Sequence, residues 1–210
     1  MRPLRAAYAW LVASLGLDAI VLVDGGSDIL MRGDEAGLGT PEEDMTSLAA
    51  VSRLDGPETF VASLGFGVDA FHGVCHAHVL ENIAALERAG GYLGAFSVTA
   101  AMPEGQAYLA AVAHAQKLTA RRPSIVNGSI AAAIEGRFGD VQFTPRTAAS
   151  KLFINPLMAV YFAFELGAVA SQSLYLPLLE NTETIWEVSA VIEHFRAELK
   201  KPRGRVPIPH

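Results

Sequence analysis

Cysteine is nearly missing: Cys75 is the only one in 210 residues. A single thiol excludes a disulfide framework and a cysteine-rich zinc site, and it fits a reducing compartment, so a cytoplasmic location is expected. Charge is sparse as well. Charged side chains make up 18% of the chain, and 22 acids against 16 bases leave a net charge of −6. The bases are scattered, apart from Lys200, Lys201, Arg203 and Arg205, where cations suit the C-terminal end of a helix. Without a basic stripe to neutralise phosphates, nucleic acid is not an expected partner. Clean hydrophobic runs of membrane length are absent too. Residues 152–170 come nearest, but they contain Asn155, Pro156 and Glu165. A carboxylate at the bilayer centre costs about 2.5–3.5 kcal/mol, so the stretch reads as a buried core helix and no membrane is expected. Arg2 and Arg5 precede an apolar segment that Gly16 and Asp18 interrupt, and no small-residue cleavage motif follows, which argues against a leader.

What is present is apolar surface and regular alternation. Apolar residues reach 51%, high enough that a homo-oligomer is expected. Leu4, Tyr8, Leu11 and Leu15 recur at helical spacing up to Gly16. Residues 19–23 form a continuous Ala-Ile-Val-Leu-Val run, the pattern of a strand buried on both faces. Thr40, Pro41 and Glu43 read as a capping box opening a helix over residues 41–54. A second strand is expected over 59–64, a helix over 76–89 and a third strand over 92–98. Helices follow over 104–119 and 124–138, short strands over 141–143 and 152–154, and helix after Pro156. Thr184 and Glu187 open a last helix, which Pro202 stops. The alternation predicts one α/β domain over residues 1–210. Its expected form is three-layered and Rossmann-like, a mainly parallel sheet with helices on both faces and a helix-rich C-terminal part. The first helix has no strand ahead of it, although such a helix normally crosses over from one.

In open α/β sheets ligands bind beyond the carboxyl ends of the strands. The segment from Asp24 to Gly39 follows the first strand and carries Asp24, Asp28, Asp34 and Glu35 among five glycines. A loop of this length is usually functional. Its acids could hold a divalent cation, with Asp24 and Asp28 as the ligands, or act as acid and base. Turn chemistry alone also uses Asp and Gly. Asp24, Asp28, Glu35 and His72 are the catalytic candidates. Gly25, Gly26, Ser27, Arg32, Asp34, Gly65, Gly67 and Asp69 are the ligand-binding candidates. All four catalytic candidates are expected to converge on one pocket. The glycines of 65–70 match the dinucleotide pattern only loosely, since no helix opens at once and no acid ends the third strand. His72, Cys75, His76 and His78 do not make a joint zinc site: in a helix, His76 falls on the apolar side with Leu80 and Ile83, and His78 falls on the opposite side with Glu81 and Asn82. Nucleophile-elbow and Walker motifs are absent.

The string Val23-Asp24-Gly25-Gly26-Ser27-Asp28-Ile29-Leu30, with Gly33-Asp34-Glu35 and Thr40-Pro41-Glu42-Glu43-Asp44, resembles an uncharacterised prokaryotic family known as domain of unknown function 1152. Residues 65–69, Gly90-Gly91-Tyr92-Leu93-Gly94 and Ile208-Pro209-His210 extend the resemblance over essentially the whole chain. It implies an α/β fold and no established activity. It also implies an extra first strand and an acid-bearing glycine-rich loop that this sequence lacks. Either the site tolerates that loss, or a partner chain supplies the segment, or the chain is truncated. The expected function is an enzyme acting on a polar or phosphorylated small molecule at the acid-rich loop. The alternative is a non-catalytic small-molecule-binding or regulatory domain, and a third reading is assembly through apolar helices.

Overall fold

The computed structural model describes residues 1–119, 121–144, 147 and 152–208. The apolar run after Gly16 forms β1 (Ala19–Asp24), which pairs in parallel with β2 (Glu58–Ser63) through six consecutive residue pairs. β3 (Tyr92–Ser97) is the third strand expected. The fourth comes from the segment read as helix: Val160–Glu165 is β6, and it lies antiparallel between β2 and β3. The sheet order is therefore β1-β2-β6-β3, and the sheet is mixed rather than mainly parallel. Aromatic side chains on Tyr161, Phe162 and Phe164 favour strand over helix here. Of the stretch expected to be helical, one 3-10 turn at Pro156–Ala159 and the seven residues of α6 (Leu166–Gln172) are helical, on either side of β6. A separate two-stranded ribbon pairs β4 (Gly139–Asp140) with β5 (Phe153–Ile154), so the strand expected at 141–143 falls two residues earlier.

The helices are α1 (Arg2–Leu15), α2 (Pro41–Val51), α3 (His76–Arg88), α4 (Pro103–Leu118), α5 (Ile125–Ile134) and α7 (Ile185–Glu198). Gly16 ends α1 at φ 62°, and its N–H donates to the Val12 carbonyl, the left-handed stop that glycine adopts without a Cβ penalty. Thr184 caps α7 by accepting from the Glu187 N–H at 3.3 Å, while Glu187 Oε2 accepts the Glu183 N–H at 2.7 Å. No helix among the described residues is long and apolar enough to cross a membrane.

The main core lies on one face of the sheet. Val61 and Phe164 meet Met45, Leu48, Val79, Leu86 and Val188 from the covering helices. A second, smaller core joins α4 and α5 to residues 152–159, beside Leu64, Val98 and Tyr161. The expected burial of β1 on both faces does not occur: Val21 is 53% exposed and Val23 62%. α3 also turns differently from expectation. It buries His78, Val79, Asn82, Ile83 and Leu86, and leaves Leu80 at the surface.

Candidate functional site

β1 and β2 run the same way, so their C-terminal ends deliver two loops side by side. Asp24 is the last residue of β1, and its carbonyl accepts the Leu64 N–H at 3.1 Å. Ser63 closes β2, and its hydroxyl donates to the Gly26 carbonyl at 2.7 Å. Asp69, in the short 3-10 helix Val68–His72, turns inward and accepts the Ser27 N–H at 2.7 Å. Gly26 is required at this junction, because a Cβ there would sit 2.6 Å from Asp69 Oδ2 and 2.9 Å from Asp28 Oδ1. Gly39 is required for the same reason: its φ is 75°, and a Cβ would overlap the Asp28 carboxylate.

Asp28 is held from the start of α2. Its Oδ2 accepts from the Thr40 N–H at 2.8 Å and from the Thr40 hydroxyl at 3.2 Å. Thr40 was expected to cap α2 with its side chain. It makes no such bond, and fixes Asp28 instead. One turn into α2, Asp44 completes the group. Oxygen atoms of Asp24, Asp28 and Asp44 all lie within 4.8 Å of one another. Asp24 and Asp28 are buried, while Asp44 is half-buried and leaves the group its open side. Asp44 escaped the sequence reading because Glu42 and Glu43 make it look like one more acid favoured by a helix N-terminus. Its signal was spacing: three residues after Pro41, it stands over the first helical position and faces back to the loop.

The electrostatics of the group are unfavourable without a counter-charge. Burial, then the charges of Asp44, Asp28 and Asp69, push the Asp24 carboxyl up to about 9. Burial and the neighbouring Asp28 push Asp44 to about 8, and burial with Asp28 pushes Asp69 to about 7. Asp24 Oδ2 is buried with no hydrogen-bond partner. A buried carboxylate oxygen in that state costs free energy unless something pairs with it.

The second half of the acid-rich loop has different contacts. Glu35 is fully buried, and its Oε1 accepts from Arg203 at 2.8 Å, Asn82 Nδ2 at 2.9 Å and the Arg32 N–H at 3.1 Å. Its Oε2 accepts the Gly33 N–H at 2.8 Å. Arg203 also reaches Asp34 at 3.0 Å and Glu81 at 2.6 Å. Arg196 adds bonds to the carbonyls of Gly33, Glu35 and Ala36. Arg32 enters through its backbone, and its Nε is buried without a hydrogen-bond partner. The four catalytic candidates thus do not meet in one place: Asp24 and Asp28 are together, Glu35 is in this clamp, and His72 is exposed with its ring edge-on to Phe71. Asp69 is buried, and His72, three residues on, is exposed. Gly26 and Ser27 lie against the Asp28 and Asp69 carboxylates, while Gly25 faces Val126. Gly65 and Gly67 turn the adjacent loop at φ 81° and 95°, and a Cβ on Gly65 would come 3.5 Å from the Gly25 carbonyl.

The fold and this group define an α/β protein with a buried carboxylate cluster beyond the ends of its parallel strand pair. Residues 2–199 match the family model described as protein of unknown function (DUF1152), and the chain belongs to that family. No curated protein and no solved structure matches it.

Proposed function

We propose that Asp24, Asp28 and Asp44 bind a divalent cation, and that through this cation the protein binds and acts on a polar, phosphate-bearing small molecule. The observation that carries the reading is the buried, unpartnered Asp24 Oδ2 beside two further carboxylates. An all-oxygen set of this kind suits a hard cation such as Mg2+ or Mn2+. Thr40 keeps Asp28 oriented, Asp44 approaches from the open side, and Asp69 holds the Gly26-Ser27 turn behind them. Held by Asp24, Asp28 and Asp44, such a cation would supply a site for a phosphate oxygen and would withdraw charge from the phosphoryl group. Asp34 and Glu35 serve to anchor the loop.

An anion has no reason to approach this acidic group unless a cation is there first. Inorganic phosphate is therefore expected to raise the melting temperature only in the presence of Mn2+, and Asp44→Asn is expected to remove both effects. Phosphate stabilisation that is unchanged by chelation would overturn the reading. Turnover of simple phosphomonoesters under the same conditions separates an enzyme from a binding domain that uses the same centre.

A further inference from the structure

The carboxylate group continues past Asp44 on its other side. The two oxygens of Asp28 have different surroundings. Oδ2 is fixed by the Thr40 N–H and hydroxyl. Oδ1 is turned towards Asp69: it and Asp69 Oδ2 lie 2.9 Å and 2.6 Å from the point that a Cβ on Gly26 would take. Glycine keeps that place clear of a side chain. Asp69 is buried, and its Oδ2 accepts the Ser27 N–H at 2.7 Å. Ser27 itself is 2% exposed. Its hydroxyl lies beside the Asp69 carboxyl without the geometry of a hydrogen bond, and Oγ is buried with no partner. Buried hydroxyls normally have one. Ser27 Oγ is thus a second orphaned polar atom of this centre, beside Asp24 Oδ2.

Charge points the same way. Asp24, Asp28, Asp44 and Asp69 make no ion pair with a basic side chain among the described residues. Their charges act on one another instead. One divalent cation offsets only two of four ionised carboxylates. A phosphate dianion that reaches the centre then still meets unbalanced negative charge, in a buried place where repulsion is strong. Two divalent cations balance all four.

We propose that the centre holds two divalent cations bridged by Asp28, the first on Asp24, Asp28 and Asp44 and the second on Asp28, Asp69 and the Ser27 hydroxyl. The second site rests on the first, which is the one proposed above. A serine hydroxyl beside carboxylates is a hard oxygen ligand, of the kind that phosphate-binding loops offer to Mg2+. Paired divalent cations about 3.5–4 Å apart clamp the attacking and leaving oxygens of a phosphoryl transfer. A pair therefore narrows the substrate from polar molecules in general to a phosphate ester or anhydride. The second ion has one carboxylate and one hydroxyl of its own, so it is expected to bind after the first and roughly tenfold more weakly.

Calorimetric titration of Mn2+ into the metal-free chain at pH 8, with electron paramagnetic resonance of the saturated protein, tests this. The wild type is expected to take up two ions and to give the spectrum of an exchange-coupled pair. Asp69→Asn, whose amide oxygen can still accept the Ser27 N–H, is expected to take up one ion and to give the spectrum of an isolated Mn2+. Ser27→Ala, which changes no charge, is expected to weaken the second ion alone, by roughly fivefold. One ion at saturation in the wild type leaves the first site standing and overturns the second, whereas no ion overturns both. Two ions without coupling, or two ions in Asp69→Asn, also overturn the second site.

Discussion

Asp24→Asn is expected to make the cation-free protein more stable at pH 8, raising its melting temperature by roughly 5 °C, and at the same time to abolish stabilisation by Mn2+. Most substitutions of a buried, strand-terminal residue destabilise. This one is expected to do the reverse, because the native carboxyl is held there against its own chemistry. Asp24 is driven to about 9, Asp44 to about 8 and Asp69 to about 7. The folded chain therefore keeps protons that the unfolded chain releases above about pH 4. Stability from these groups is complete below that pH, and it is lost as the pH climbs through 7, 8 and 9. Asparagine has nearly the same shape and no proton to lose. It also offers an amide donor to Asp28 or Asp44, where Asp24 Oδ2 has no partner. A gain of about 1–3 kcal/mol is the expected scale, at roughly 2–4 °C per kcal/mol for a chain of this size. The wild-type melting temperature should fall from pH 5 to pH 9 in chelator, and the variant's should fall less. A destabilised variant that still responds to Mn2+ would refute the assignment of Asp24.

Arg203→Met is expected to cost about 3–5 kcal/mol, because it leaves Glu35 buried without its cation. Glu35 is fully buried and keeps Asn82 and two backbone N–H donors, which soften the loss without neutralising the charge. The same side chain ties residue 203 to Asp34 and Glu81, and the backbones join through Arg203 N–H to Asp34 at 2.7 Å and Ala36 N–H to Arg203 at 2.8 Å. The measured drop in denaturant midpoint should be largely recovered in Arg203→Met with Glu35→Gln, since a neutral amide can stay buried where an unpaired carboxylate cannot. Mn2+ stabilisation should survive in the double variant, because the clamp and the carboxylate cluster share no side chain. A midpoint change under about 1 kcal/mol in the single variant would mean that Glu35 is held adequately without Arg203.

These two results separate halves of one loop that look alike in sequence. Both halves hold acids and glycines, so composition alone treats Asp24 and Glu35 as equals. What tells them apart is the partner: Arg203 lies 168 residues from Glu35, and no local pattern announces such a pairing. Asp24 was legible because it ends a strand whose apolar run is unmistakable, and Asp28 because it lies in the loop that follows, where α/β sheets collect ligands. Asp44 was hidden by a helix N-terminus that attracts acids anyway, and Thr40 by its fitness as a cap. Three of the four main strands could be read from apolar runs and their turn residues. β6 could not, because a short apolar stretch carries no period that decides between helix and strand. Its insertion between β2 and β3 is what makes the sheet mixed, and that depends on pairing at a distance.

The most direct measurement of the central claim is a calorimetric titration of Mn2+ into the metal-free protein at pH 6 and pH 8. The expected result is saturable binding with net proton release, at least tenfold tighter at pH 8, since the cation displaces protons from Asp24 and Asp44. Asp28→Ala should lose it. No binding of Mn2+, Mg2+ or Ca2+ at millimolar concentration at either pH, with the wild type and Asp28→Ala alike, would contradict the account.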